Sequence, residues 1–282
     1  MQSSDKYVAQ TNFALLLIGP PLSGKTNVAM EFPSPYFFDA DDKLANAVQR
    51  HPGKKFFWDN GLRNSAGGPI EGPKRWENAV KCLKEAWVSP EVETIVIDSG
   101  SSLSTFLIEH ILQFPSTAKT TLMVGGIKVM DQSMWMPFRD LWTRLIMACR
   151  ASGKLTVLIM HEESDKDEES GTFVHRPLIP GQLKNNIGGL FTDVWRTETK
   201  QVMGKNQIET RYFVRTQPTS KMALGNSLGL PAEFKFTTKA FKDALDAVKA
   251  KTVQPSMPVP ESVISVKTDN IITGPIALTA AP

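Results

Sequence analysis

One segment constrains this chain more than any other. Gly19-Pro20-Pro21-Leu22-Ser23-Gly24-Lys25-Thr26 fits the pattern G-x-x-x-x-G-K-[ST]. It directly follows an apolar run, Phe13–Ile18, and precedes a helix-compatible stretch, Thr26–Glu31. The spacing has a physical purpose. Glycines let the backbone wrap an anion so that successive N–H groups point inward. Lys25 then reaches the β- and γ-phosphates of a nucleotide, and the Thr26 hydroxyl faces Mg²⁺. A following helix sets its positive end under the phosphates. The binding set expected here is Gly19, Pro20, Pro21, Leu22, Ser23, Gly24, Lys25, Thr26 and Asn27. A chance match is rare because glycine makes up only about 7% of average sequences. The pattern points to nucleoside triphosphate binding.

Such a loop sits on a buried sheet, and the rest of the chain reads accordingly. Its 282 residues are 41% hydrophobic and 22% charged, enough apolar mass for a sizeable core and too much for a wholly disordered chain. No apolar run approaches the roughly 18 residues of a membrane-spanning helix, so no membrane partner is expected. The first ten residues, MQSSDKYVAQ, lack the apolar segment of a secretion signal. Cys82 and Cys149 are the only cysteines, too few for a disulfide framework or a zinc cage, which makes a reducing cytoplasm the default location. A net charge of +3 does not imply nucleic acid by itself.

Strand and helix patterns alternate from Ala14 to about Ala250. Continuous apolar or aromatic runs at Phe13–Ile18, Tyr36–Phe38, Thr94–Ile97 and Leu155–Met160 predict buried strands. Asp193–Arg196 and Arg211–Thr216 read as further strands. Helical spacing marks Lys74–Trp87, Trp135–Cys149 and Thr237–Val248. Met130, Met134, Trp135, Met136 and Phe138 cluster at the second of these, either as its packing face or as a platform on which bases stack. Alternation of this kind predicts an α/β fold with a mainly parallel sheet flanked by helices and ligands at the carboxyl ends of the strands. The expected organisation is one ATPase domain over 1–251 and a flexible C-terminal tail over 252–282. The tail holds Pro255, Pro258, Pro260, Pro275 and Pro282 and has no helical period. It reads as a solvated extension or as a docking segment for a partner.

A second half-site is expected at Glu93-Thr-Ile-Val-Ile-Asp98-Ser99. There Asp98 ends a buried strand and would hold Mg²⁺, directly or through water, together with Thr26. Phe37-Phe-Asp39-Ala40-Asp41-Asp42 places acidic residues at another strand end. That element, with the phosphate loop, the V-I-D-S strand, a long loop and then a strand ending in a polar residue, resembles the RecA-like recombinase core. Over about Asn12 to Pro231 the chain is similar to the short RecA-like ATPases of tailed phages, classed as single-strand annealing proteins or recombinases. The resemblance implies a RecA-like P-loop NTPase core and an ATP- and Mg²⁺-dependent enzyme with DNA-stimulated hydrolysis. It implies assembly as a ring or filament on single-stranded DNA in annealing or strand exchange, within the host cytoplasm. Asp41 would orient the attacking water, with Asp39 or Asp42 as substitutes, and His161 would sense the γ-phosphate where recombinases carry Gln.

The resemblance also places DNA contacts in two loops. The first is Gln113–Ser133, with Lys119 and Lys128. The second is Glu163–Asn186, with Arg176 and Lys184. The acidic run Glu162, Glu163, Asp165, Asp167, Glu168 and Glu169 departs from that pattern, since it would repel DNA phosphates unless it projects into solvent. From Lys200 to Lys251, ten basic residues face four acidic ones, a surplus of +6. Within that stretch the resemblance implies Arg215 and Lys221 as charges supplied in trans to a neighbour's γ-phosphate. A single-strand binding protein is the partner envisaged for the tail. Two other readings stand. A small-molecule or nucleotide kinase would close an arginine-bearing lid over its acceptor, but the region 162–186 is acidic. A non-hydrolysing module would use ATP only to assemble.

Overall fold

A computed structural model describes residues 13–115, 122–166, 171, 173–203 and 208–252. In chain order the strands and α-helices are β1 (Ala14–Gly19), α1 (Lys25–Met30), β2 (Pro35–Asp39), α2 (Ala45–Arg50), β3 (Phe57–Asn60), α3 (Arg75–Val88), β4 (Thr94–Asp98), α4 (Gly100–Ile111), β5 (Met123–Val124), β6 (Ile127–Lys128), α5 (Trp135–Ala151), β7 (Leu155–Lys166), β8 (Phe173–Pro177), α6 (Leu183–Asn186), β9 (Asp193–Met203), β10 (Ile208–Arg215), β11 (Glu233–Phe234) and α7 (Thr238–Thr252).

The main sheet runs in the order β11-β10-β9-β1-β7-β4-β2-β3, with β8 added to β7. From β9 to β3 every neighbouring pair is parallel; β9–β10–β11 and β7–β8 are antiparallel. The fold is therefore the expected α/β type with a mainly parallel central sheet flanked by helices. Strand β1 shows why the sheet is buried on both faces. Ala14, Leu16 and Ile18 face a cluster with Leu83, Phe106, Trp142 and Ile146 from α3, α4 and α5. Leu15 and Leu17 face the opposite cluster with Val28, Ala29, Ala47 and Phe241 from α1, α2 and α7. A fully buried leucine contributes about 2 kcal/mol by transfer alone, so this short strand anchors both halves of the core.

Parallel register brings chemistry to one edge. Gly19 lies beside His161, Ile18 beside Arg196, and Asp39 beside Asp98. Gly19, Asp39 and Asp98 end their strands, while β7 and β9 run on past His161 and Arg196.

Three expectations change. The stretch Glu163–Asn186 is not simply a loop: β7 continues through Lys166 and pairs with β8 from Glu162↔Pro177 to Lys166↔Phe173. Glu163 and Asp165 are held by Lys184, whose Nζ lies 2.9 Å from each, so the ladder and these ion pairs outweigh their mutual repulsion. Within Gln113–Ser133, β5 and β6 form a small hairpin whose turn residues Gly125 and Gly126 take φ of 57° and 78°, the left-handed pair that a tight hairpin turn needs. Met134 and Phe138 are core residues, which removes them from any exposed stacking platform, while Met136 stays exposed. Residues 116–121, 167–170 and 253–282, and with them Lys119, Asp167, Glu168, Glu169 and the proline-rich tail, lie outside the described residues. Among the described residues no helix is long and apolar enough to cross a membrane.

Candidate functional site

The loop between β1 and α1 is built by close backbone approach. Gly24 takes φ of 89°, and a Cβ there would come within 2.7 Å of the Tyr212 ring. Ser23 Oγ lies 2.6 Å from Thr197 Oγ1, which ties the loop to β9. Leu22 adopts φ of 63° with its side chain fully out in solvent, an unusual conformation for a branched residue.

Lys25 folds back over the loop. Its Nζ donates to the carbonyl oxygens of Gly19 at 2.8 Å and Pro20 at 2.7 Å. Burial lowers its pKa from 10.5 to about 8, although Asp98, Glu162 and Asp41 pull the other way. Thr26 Oγ1 donates to Asp98 Oδ2 at 2.7 Å. Burial pushes the Asp98 carboxyl up to about 6 against the opposing Thr26 bond, and the charges of Asp41 and Asp39 add to the rise.

This donor set fits a hard divalent cation. A hydroxyl and a carboxylate converge, both are oxygen ligands, and the carboxylate is costly to ionise without a cation beside it. Mg²⁺ is commonly held by one or two protein side chains plus substrate phosphates.

The three acidic candidates at the end of β2 separate. Asp39 accepts the backbone N–H groups of Asp41, Lys43 and Leu44, so its oxygens shape the turn. Asp42 is engaged by Asn60 at 2.6 Å and by Arg63 at 3.4 Å. Asp41 alone of the three faces the strand carrying His161: its Oδ2 lies 3.5 Å from His161 Nε2, and Ser99 Oγ donates to its Oδ1 at 3.3 Å. Burial raises the Asp41 pKa, but bonds from His161 and Ser102 and the charges of Lys43 and His161 outweigh it and hold the group below the usual carboxylate value. Lys25, Thr26, Asp98, Asp41 and His161 thus gather at one edge from α1, β4, β7 and the turn after β2.

The other sequence candidates sit elsewhere. Lys128 Nζ donates to the carbonyls of Leu112 and Phe114, both at 2.7 Å. Arg176 pairs with Asp165 at 3.4 Å. Arg215 is tied within its own chain, to Glu198 at 2.8 Å and Glu233 at 3.0 Å. Arg176, Lys184 and Lys221 line one cavity of about 920 Å³, with Gly188 and Gly189 in its wall.

Sequence reasoning missed several residues at this edge. Arg196, opposite Ile18, grips Glu162 with two bonds of 2.9 and 2.8 Å and reaches Glu198 at 3.2 Å. The partners are 34 residues apart, so no local pattern could pair them. A second omission adjoins the loop. A cavity of about 590 Å³ opens beside Gly24 and Asn27, bounded by Arg50, Tyr212 and Phe236, with the Arg50 guanidinium 5.3 Å from the Tyr212 ring centre. Asn27 Oδ1 is buried there without a hydrogen-bond partner.

A parallel sheet with this loop at the carboxyl end of a central strand, and a buried carboxylate against the loop threonine, defines a P-loop nucleoside triphosphatase. Residues 11–228 match the AAA domain family AAA_24, and the chain belongs to that family. No curated protein matches it. Among solved structures, the chain is similar to the KaiC-like protein PH0186 from the hyperthermophilic archaeon Pyrococcus horikoshii OT3. The two are 12% identical, with a TM-score of 0.38 over 74% of this chain and 80% of that one.

Proposed function

We propose that the protein is a Mg²⁺-dependent ATPase that assembles on single-stranded DNA and promotes annealing or strand exchange in phage recombination. The observation that carries the catalytic part is the convergence of Lys25, Thr26 and Asp98 with the Asp41–His161 pair. Lys25 leaves its two carbonyl partners to neutralise the phosphates. The loop N–H groups orient them. Thr26 and Asp98 would hold Mg²⁺, which offsets the charge of the phosphate oxygens when bound. The cavity at Arg50 and Tyr212 is sized and placed to receive the base and ribose.

The DNA part rests on the resemblance and on charge. The supporting features are the basic surplus of 200–251 and the meeting of Arg176, Lys184 and Lys221 at one cavity next to the β7–β8 hairpin. Because Arg215 is paired in cis, a role for it in trans requires assembly to exchange Glu198 and Glu233 for a neighbour's phosphate. In this reading the tail carries the contact to a single-strand binding protein.

One experiment tests the whole reading: ATP hydrolysis with and without Mg²⁺, single-stranded DNA and nucleoside monophosphates, beside DNA binding across a salt series. Expected are Mg²⁺-dependent turnover raised by DNA, and affinity that falls steeply with salt because phosphate contacts dominate. Turnover raised by a monophosphate instead would make the protein a kinase. DNA binding driven by ATP without any turnover would make it an assembly module.

A further inference from the structure

We propose that His161 is the base that takes the proton of the attacking water, and that Asp41 acts through it as a positioning residue. The inference deepens the hydrolytic reading above and rests on it. It starts from an orphaned atom. His161 Nδ1 is buried and has no hydrogen-bond partner. The other ring nitrogen, Nε2, lies 3.5 Å from Asp41 Oδ2. Facing a carboxylate, Nε2 carries the hydrogen, which leaves the lone pair on Nδ1. An unpaired buried acceptor is costly and is retained where a ligand supplies the donor.

The surroundings fix the main chain that carries the ring. His161 N donates to Ser101 Oγ at 3.1 Å, and Leu178 N donates to the His161 carbonyl at 2.7 Å. Register sets His161 beside Gly19, the first residue of the phosphate loop. Asp41 is fixed in turn by Ser99. A carboxylate held below its usual pKa accepts a proton poorly but stabilises a neighbouring imidazolium well. Nucleophile, imidazole and orienting carboxylate then follow the logic of a catalytic triad with water as the nucleophile.

The water oxygen bonds to Pγ as the bond from Pγ to the bridging oxygen breaks, and that electron pair stays on the β-phosphate of ADP. The water proton passes to His161 Nδ1. The imidazolium formed is held by Asp41 until the proton leaves with inorganic phosphate.

A sensor that only donates a hydrogen bond is replaceable by glutamine; a base is not. The test compares the full chain with His161→Gln, His161→Asn, Asp41→Asn and the Asp41→Asn/His161→Gln double variant, in single-turnover ATP hydrolysis and in equilibrium ATP binding. Expected for both His161 variants is a loss of about 100-fold or more in rate, the scale of general-base catalysis, with ATP affinity within about threefold of the parent. The double variant should be no slower than the slower single variant, because the two residues act as a unit. Retained binding shows that the variants fold. Glutamine at 161 supporting more than a third of the parental rate would overturn the inference in favour of a γ-phosphate sensor. Additive losses would overturn it too, by making Asp41 an independent base. A parent that binds ATP and never hydrolyses it would instead remove the hydrolytic reading, and this inference with it.

Discussion

The two halves of the sheet treat charge in opposite ways. Around the ends of β1 and β4 and at His161 of β7, charged and polar groups are buried and under-compensated: Lys25 hydrogen-bonds to two backbone carbonyls and burial lowers its pKa despite nearby carboxylates, Asp98 has a raised pKa, and His161 Nδ1 has no hydrogen-bond partner. Across β7, β9, β10 and β11, charges complete one another in a chain from Glu162 through Arg196, Glu198, Arg215 and Glu233 to Lys200. The first region is unfinished without a ligand. The second is finished and serves as scaffold. Perturbed groups concentrate where chemistry is expected, whereas satisfied networks specify structure.

That contrast can be broken at several points. The largest effect should come from Lys25→Ala: a fall of about 1,000-fold or more in nucleotide affinity or turnover, with no loss of apo stability, since a buried ammonium is removed rather than a packed side chain. Isothermal titration and thermal melts measure the two effects, and a lower melting temperature would place Lys25 in the scaffold class.

Arg196→Met should do the reverse. It strands Glu162, whose side chain is only 8% exposed, and should cost about 3 kcal/mol in denaturant titrations. A neutral result would dissolve the distinction between the halves.

Asp98→Asn sharpens the comparison through pH. A carboxyl whose folded pKa lies near 6, above its ordinary 3.8, destabilises the folded chain progressively as pH rises from about 4 to 6, and fully above that. The variant should therefore gain about 1–3 kcal/mol of apo stability at pH 7.5, shrinking toward nothing near pH 4, while losing Mg²⁺-dependent turnover. A pH-independent change would mean that Asp98 is compensated after all.

Smallest is Arg215→Ala in the nucleotide-free monomer. The Arg215 side chain is itself a third exposed, so less than about 1 kcal/mol is expected, with ATP binding intact. A larger loss would extend the buried network to the sheet edge.

How much of this was legible beforehand follows the range of each signal. The phosphate loop and the strands before it, at Asp98 and at His161 could be read because fixed spacing and continuous apolar runs are local properties. Helix α4 was not marked, since Gly100-Ser-Ser-Leu-Ser-Thr is poor in helix formers; it is stabilised by burying Leu103, Phe106, Leu107 and Ile111 and by Ser99, whose hydroxyl accepts the N–H of Ser102 at 3.3 Å. The far half of β7 is hidden by its acidity, and β8 by its shortness and its closing Pro177. The pairs that decide which charges are free, Arg196 with Glu162 and Arg215 with Glu233, join residues remote in sequence, and only the sheet order brings them together. The choice among Asp39, Asp41 and Asp42 likewise needed the turn geometry, because all three are equivalent in composition.

Strand β7 runs without a break from the core, through His161 beside the phosphate loop, to Lys166 in the hairpin with β8. At about 3.3 Å per residue, its last residue stands some 17 Å beyond His161. A pleated strand clamped on both sides at its base behaves as a stiff pointer. A tilt of a few degrees at the histidine, as phosphate comes or goes, becomes a displacement of about an ångström at the tip. Any such tilt would be carried from the nucleotide site to the hairpin by position alone, with no hinge between the two.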